Sequence, residues 1–166
     1  KEAQPHLSAS LYRGGLCGIQ LKNWKASEQL FNTLIGKFPK FPQLADARYG
    51  LGLALQNQKK IKEARQSFQA AVAGAPNSEV AAKSWFMLGQ CSFSEKNYKE
   101  AIKSFTEVAF GFDHPVWQPL SYFEAGRCYV QLKDIESAKK MFNALIKEFP
   151  KHARAKDAKS ILANLK

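Results

Sequence analysis

The chain has 166 residues, 45% hydrophobic and 23% charged, with 25 Lys and Arg against 14 Asp and Glu for a formal charge of +11. That size is one domain with room for a continuous core, and the composition is an ordinary globular one. Apolar runs of only a few residues leave no place for a transmembrane segment, and the positive charge bears on solubility and anionic surfaces rather than on fold. The chain opens Lys1-Glu2-Ala3 without Met or signal peptide, so it is expected to be a processed form or an excised fragment, which leaves its compartment open.

After a leader at residues 1–6, one constellation returns every 37 residues. Glycine stands at Gly15, Gly52, Gly89 and Gly126. Twelve positions later come the small residues Ser27, Ala64, Ala101 and Ala138, then Phe31, Phe68, Phe105 and Phe142. Proline closes the unit at Pro39, Pro76 and Pro150, with Asp113 as the exception. A period of this length marks a solenoid, whose units bury a core only by stacking on their neighbours. The first copy, about 7–40, is the least regular. It places Gly14, Gly15 and Gly18 in its first helix, each costing about 1 kcal/mol against Ala, so this helix is weak alone and invites packing by upstream sequence or a partner. The second copy covers about 41–77.

The third copy, about 78–114, is the most legible. Residues 79–95 carry Val80, Lys83/Ser84, Met87/Leu88 and Cys91 at the three-and-four spacing of an amphipathic helix, with Ser78 placed to cap it. Lys96-Asn97 makes a turn. Residues 98–110 then form a second helix with Tyr98, Ala101, Ile102, Phe105 and Val108 on its inner stripe. The prolines stop the equivalent helices elsewhere, because a proline disfavours helical geometry in the residue before it. The fourth copy spans about 115–152. From Ala153 to Lys166 a ninth helix, with Ala155, Ala158/Lys159 and Leu162 on one side, reads as the polar cap of a solenoid.

Trp85, Leu88, Gly89, Ala101 and Phe105 in the third copy, and Tyr122, Gly126, Tyr129, Ala138, Phe142 and Pro150 in the fourth, resemble the tetratricopeptide repeat (TPR). The resemblance covers nearly the whole chain. It implies an all-α, right-handed α-solenoid of antiparallel helix pairs: four repeats and a C-terminal capping helix. The unit is longer than the family's usual length of about 34. Joins such as Phe38-Pro39-Lys40 followed by Leu44-Ala45-Asp46-Ala47 are similar to those of bacterial cell-envelope TPR proteins of the Tol–Pal coordinator and outer-membrane assembly lipoprotein type. This implies a periplasmic or outer-membrane-associated location, with the cytoplasm as the alternative.

Nothing in the chain points to catalysis. His6, His114 and His152 are far apart, and no His-Glu-x-x-His or Cys-x-x-Cys occurs. Gly14-Gly15-Leu16-Cys17-Gly18 lacks the Lys-Ser/Thr of a phosphate loop. No nucleophile–base–acid set stands out, so neither an enzyme nor a metal or cofactor is expected. Cys17, Cys91 and Cys128 each follow a repeat glycine by two residues, a small inward position, and are expected to be buried free thiols.

The expected function is protein binding. In this family the first helices line a concave groove, where an aromatic row, Tyr12, Tyr49, Phe86 and Phe123, falls three positions before each glycine. Leu53, Phe93 and Val130 add apolar surface, and Gln56, Asn57, Gln90, Arg127 and Gln131 add polar points. Such a strip suits an extended peptide or the apolar face of an amphipathic helix. The regular Lys and Asn set with which family members clamp a carboxylate terminus is missing, and Arg127 alone does not replace it. Lysines of the intra-repeat turns, from Lys22 to Lys133, read as solvated rims. Two rival readings stand beside this one. A binder of nucleic acid or an envelope polymer would use those rims and the basic cap, with affinity that collapses in salt. Aromatics do not interleave with the basic cap, so nucleic acid is not favoured. A self-assembly module would fill the groove or the glycine-rich first helix with another copy, making a homo-oligomer.

Overall fold

A computed structural model describes residues 3–165, with side chains from residue 6, and among these residues there are nine α-helices and no strand. The chain divides into two units, Lys1–Ser84 and Trp85–Lys166, the division falling inside α5. Lys1, Glu2 and Lys166, the first residues of the expected leader and the last of the expected cap, lie outside the described residues.

In the first unit α1 (Ala3–Gln20) packs on α2 (Trp24–Lys37), α2 on α3 (Leu44–Asn57), and α3 on α4 (Ile61–Gly74). α1 begins inside the stretch assigned as a leader, since a proline such as Pro5 is tolerated in a first helical turn. Phe31 joins these helices. It is fully buried, and a Cβ at either Gly15 of α1 or Gly50 of α3 would lie 2.6 Å from its ring. Glycine is therefore required at both walls of this slot. Ser27 adds a tie, its hydroxyl donating to the Gly15 carbonyl at 3.0 Å.

The second unit holds most of α5 (Glu79–Ser94), then α6 (Tyr98–Gly111), α7 (Trp117–Gln131), α8 (Ile135–Glu148) and α9 (Ala153–Asn164). α6 packs on α7, α7 on α8, and α9 on both α7 and α8. Its core gathers Tyr122, Phe123, Phe142 and Leu145 with Ala109, Ala138 and Ala158. The Phe142 ring fills the slot at Gly126, as the Phe105 ring does at Gly89. Ser78 caps α5 as its place in the sequence suggests, accepting from the Ala81 N–H at 3.3 Å.

All four intra-repeat turns share one backbone device. Lys22, Lys59, Lys96 and Lys133 have φ of 56°, 63°, 59° and 60°. The next residue's N–H reaches back to the carbonyl five residues earlier, as in Asn23 to Gly18 at 2.8 Å and Asp134 to Tyr129 at 3.0 Å. This is the Schellman ending, with lysine where glycine is usual. Asn23, Asn97 and Asp134 then cap the following helices through their side chains. The lysines themselves are exposed.

One cysteine departs from expectation. Cys91 and Cys128 are fully buried, but Cys17 is exposed. Its position is inward only where a preceding helix covers it, as α6 does for α7, and among the described residues no helix precedes α1.

Candidate functional site

The aromatic row is built by the repeat itself. Helical spacing sets each member against the slot phenylalanine of its own repeat. The ring centroids are 6.4 Å apart for Tyr12–Phe31, 5.8 Å for Tyr49–Phe68, 5.4 Å for Phe86–Phe105 and 5.8 Å for Phe123–Phe142. The following repeat, or α9 after the last one, then lays a side chain on top: Phe41 against Tyr12, Lys83 over Tyr49, Trp117 against Phe86 and Arg154 over Phe123. Each aromatic is thus held between two layers.

In the first unit Tyr12 and Tyr49 remain half-buried, as do Leu53 and Gln56. Burial, with Glu79 adding, pushes the Tyr49 hydroxyl up to about 12. It stays a proton donor at neutral pH. Lys83, 4.6 Å above that ring, also pairs with Asp46 at 3.0 Å. Asn57 is exposed, with its amide donating to the Leu53 carbonyl at 2.9 Å.

In the second unit Phe86 and Phe123 keep only 9% and 5% of their surface, so the exposed chemistry comes from their neighbours. Gln90, Phe93 and Val130 are half-buried, while Arg127 and Gln131 are exposed. The Arg127 guanidinium lies 5.0 Å from the Phe93 ring centre and donates to both Glu124 oxygens, at 2.8 and 3.2 Å. Glu124 is a buried carboxylate, and Arg127 neutralises it. Beside this pair opens a hollow of about 200 Å³ lined by Arg127, Val130, Gln131, Phe142 and Ile161. Sequence reasoning missed Ile161. It stands 37 residues after Glu124, and the predicted groove rows continue into α9 at Ser160 and Asn164 instead, so the repeat register gave no signal for it.

A larger hollow of about 470 Å³ lies in the first unit among Glu28, Asn32, Ile35, Arg48, Glu63 and Gln66. Two of its charged walls already serve the fold. Arg48 donates to the Ala70 carbonyl at 3.1 Å. Glu28 accepts from Lys60 and Gln58, and the Lys60 bond leads in holding its carboxyl below the usual range. Among the described residues no three His, Cys, Asp or Glu side chains gather as a metal site, and no helix is long and apolar enough to cross a membrane.

Comparison with known proteins agrees with this architecture. A family model described as YfiO, outer membrane lipoprotein, matches residues 5–166. A TPR protein from Parabacteroides merdae superposes with a TM-score of 0.81 at 17% identity, over 96% of this chain and 60% of its own. The chain therefore spans less than two thirds of that protein's length. PilF of Pseudomonas aeruginosa matches with a TM-score of 0.76 at 18% identity, over 98% of this chain and 69% of that one. YrrB, a TPR protein with an unusual peptide-binding site, matches at 0.73 and 24% identity, over 92% and 74%. A comparison with curated protein sequences finds no match. The fold is the all-α TPR solenoid built from antiparallel helix pairs.

Proposed function

The chain belongs to the YfiO outer membrane lipoprotein family, and we propose that it acts there as a non-enzymatic scaffold holding a partner protein on the first-helix face of its second unit. The fold is one of protein–protein interaction scaffolds in general, and the family supports an association with the cell envelope. The observation that carries the reading is the hollow beside Arg127. A guanidinium fixed between Phe93 and Glu124 has little rotamer freedom left to lose on binding. Val130 and Ile161 offer apolar walls to a partner's side chain, and Gln131 offers a hydrogen-bonding edge. An extended peptide or one face of an amphipathic helix would bury an apolar residue in the hollow.

The test is a crosslinking pull-down from envelope and soluble fractions of the native organism. Wild-type bait is compared with a Val130→Lys/Gln131→Glu variant. Gln131 is exposed and Val130 half-buried at the edge of the core, so circular dichroism and a thermal melt first check that the variant keeps the wild-type fold. A protein retained by the wild type and lost by the variant supports the site. Equal recovery by both would refute it.

A further inference from the structure

We propose that the hollow between α2 and α4 holds a tripeptide with both termini free, its ammonium at one end and its carboxylate at the other. The hollow of about 470 Å³ lies within the first unit, walled by α2, α3 and α4, and its size suits a small ligand. Ile35, Leu51, Leu55 and Ala70 give it an apolar lining, and its two ends carry opposite charge.

At one end stand Glu28 and Glu63. Glu28 is already taken up: Lys60 donates to both of its oxygens at 2.8 Å and Gln58 to one at 2.7 Å. Glu63 is exposed and has no ion pair among the described residues. A comparison within the chain shows why. One repeat on, Glu100 stands in the same register and Lys103 pairs with it at 3.1 Å. Three places after Glu63 the residue is Gln66, which brings an amide where Lys103 brings a cation. At the other end Arg48 donates from Nη1 to the Ala70 carbonyl at 3.1 Å. It has no carboxylate partner among the described residues, and its fork keeps further N–H donors for one.

The spacing sets the length of the ligand. Glu63 and Ala70 are seven residues apart on α4, or about 10 Å along its axis. An extended chain advances about 3.3–3.6 Å per residue, so a tripeptide reaches from one charge to the other. Its middle side chain then lies on the apolar lining. Asn32 and Gln66, both exposed, offer amides to its backbone. A lone cation leaves Arg48 unused, and a lone anion faces the carboxylates. A dipolar ligand satisfies both ends.

The repeat itself does not call for this hollow. Two repeats on, Tyr122, Tyr129 and Met141 hold the places of Arg48, Leu55 and Ser67, and Ser137 that of Glu63. Tyr122 is part of the core of the second unit, and Tyr129 and Met141 pack against it. The two opposite charges are thus particular to the first unit.

The experiment is calorimetric titration of the full chain with Ala-Leu-Ala and with its N-acetylated and C-amidated forms. The free tripeptide is expected to bind saturably, and blocking either end to weaken it by about tenfold or more. Glu63→Gln should weaken the free peptide by a similar factor and erase the penalty of acetylation, so that this variant binds the free and acetylated forms equally. Ser67→Met, which brings in the residue found at Met141, should fill the hollow and remove binding. Glu63 is exposed and Ser67 half-buried, and circular dichroism checks that both variants keep the wild-type fold. No saturable binding up to about 10 mM overturns the proposal. So does equal binding of the free and blocked peptides, an acetylation penalty that survives in Glu63→Gln, or undiminished binding by a folded Ser67→Met chain.

Discussion

The pair α1–α2 and the pair α7–α8 are built from the same parts and live in different surroundings. Each sets a glycine of the first helix against a buried phenylalanine of the second, Gly15 with Phe31 and Gly126 with Phe142. α7 has further helices, α6 and α9, packed on it, while α1 has none before it among the described residues. The consequence is sharpest at the cysteines. Cys17 is exposed, whereas burial, with Glu124 adding and Arg127 opposing, pushes the Cys128 thiol up to about 12. One repeat position is therefore solvent-facing or core according to its neighbours. The identity of the residue does not decide it.

The largest expected effect tests what the two pairs share. Phe31→Ala and Phe142→Ala should each cost about 3–5 kcal/mol in urea denaturation, because each empties a fully buried slot. If either costs under about 1 kcal/mol, the slot is not what joins the helices. Next come the glycines. A Cβ at Gly126 would stand 2.6 Å from the Phe142 ring, so Gly126→Ala should cost about 1–3 kcal/mol by overpacking. Gly15→Ala in this chain makes the same clash and should cost less, since among the described residues no helix precedes α1 to stop a small outward shift. Equal costs would break the contrast between the pairs.

Alkaline pH sharpens it further. A thiol whose folded pKa lies above its unfolded value of 9.0 keeps its proton in the native state after the unfolded chain has lost it. Stability from Cys128 is thus complete below pH 9.0 and lost progressively up to about 12. Tyr122, raised to about 12 chiefly by burial and then by Glu148, adds its own loss from 10.0 upward. Cys128→Ala, with the residue found at Ala54, should delay the onset of the fall in Tm by about one pH unit. In the same samples a thiol reagent at neutral pH should label Cys17 quickly and Cys91 and Cys128 only on unfolding. Fast labelling of all three would deny the burial of the other two. The smallest effect lies in the turns. Lys59→Gly relieves a left-handed lysine, worth about 1–2 kcal/mol, and gives back about 0.5–1 kcal/mol in unfolded-chain entropy. A net gain below about 1 kcal/mol is expected in the same denaturation assay.

The helices were legible because the signals that set them are local. The spacing of Val80, Ser84 and Leu88, the cap at Ser78 and the closing prolines all act within a turn or two, and α5 and α6 fall within a residue of their expected ends. The exposure of Cys17 was not legible, since it depends on a helix beyond the repeat. Nor was the layering of the aromatic row. The covering side chains Phe41, Lys83 and Trp117 come from the following repeat and Arg154 from α9, and they have no common identity. The left-handed lysines could have been found, because each recurs at the 37-residue step and three of the four precede an Asn or Asp that caps the next helix.

The slot at Gly15, Phe31 and Gly50 also sets a unit of length. Phe31 needs a bare backbone on its own first helix and on the next one, so a glycine and its phenylalanine are mutually dependent across a fixed span of chain. Inserting or deleting a whole 37-residue copy preserves each phenylalanine's pairing with the glycine of its own first helix, while the second wall is particular to the first slot, the register equivalents of Gly50 being Met87 and Glu124. Removing a few residues within a helix instead turns each later ring against a wall that carries a Cβ. A chain with this grammar changes size in quanta: it can gain or lose surface one repeat at a time, and only its turns and joins are free to vary continuously.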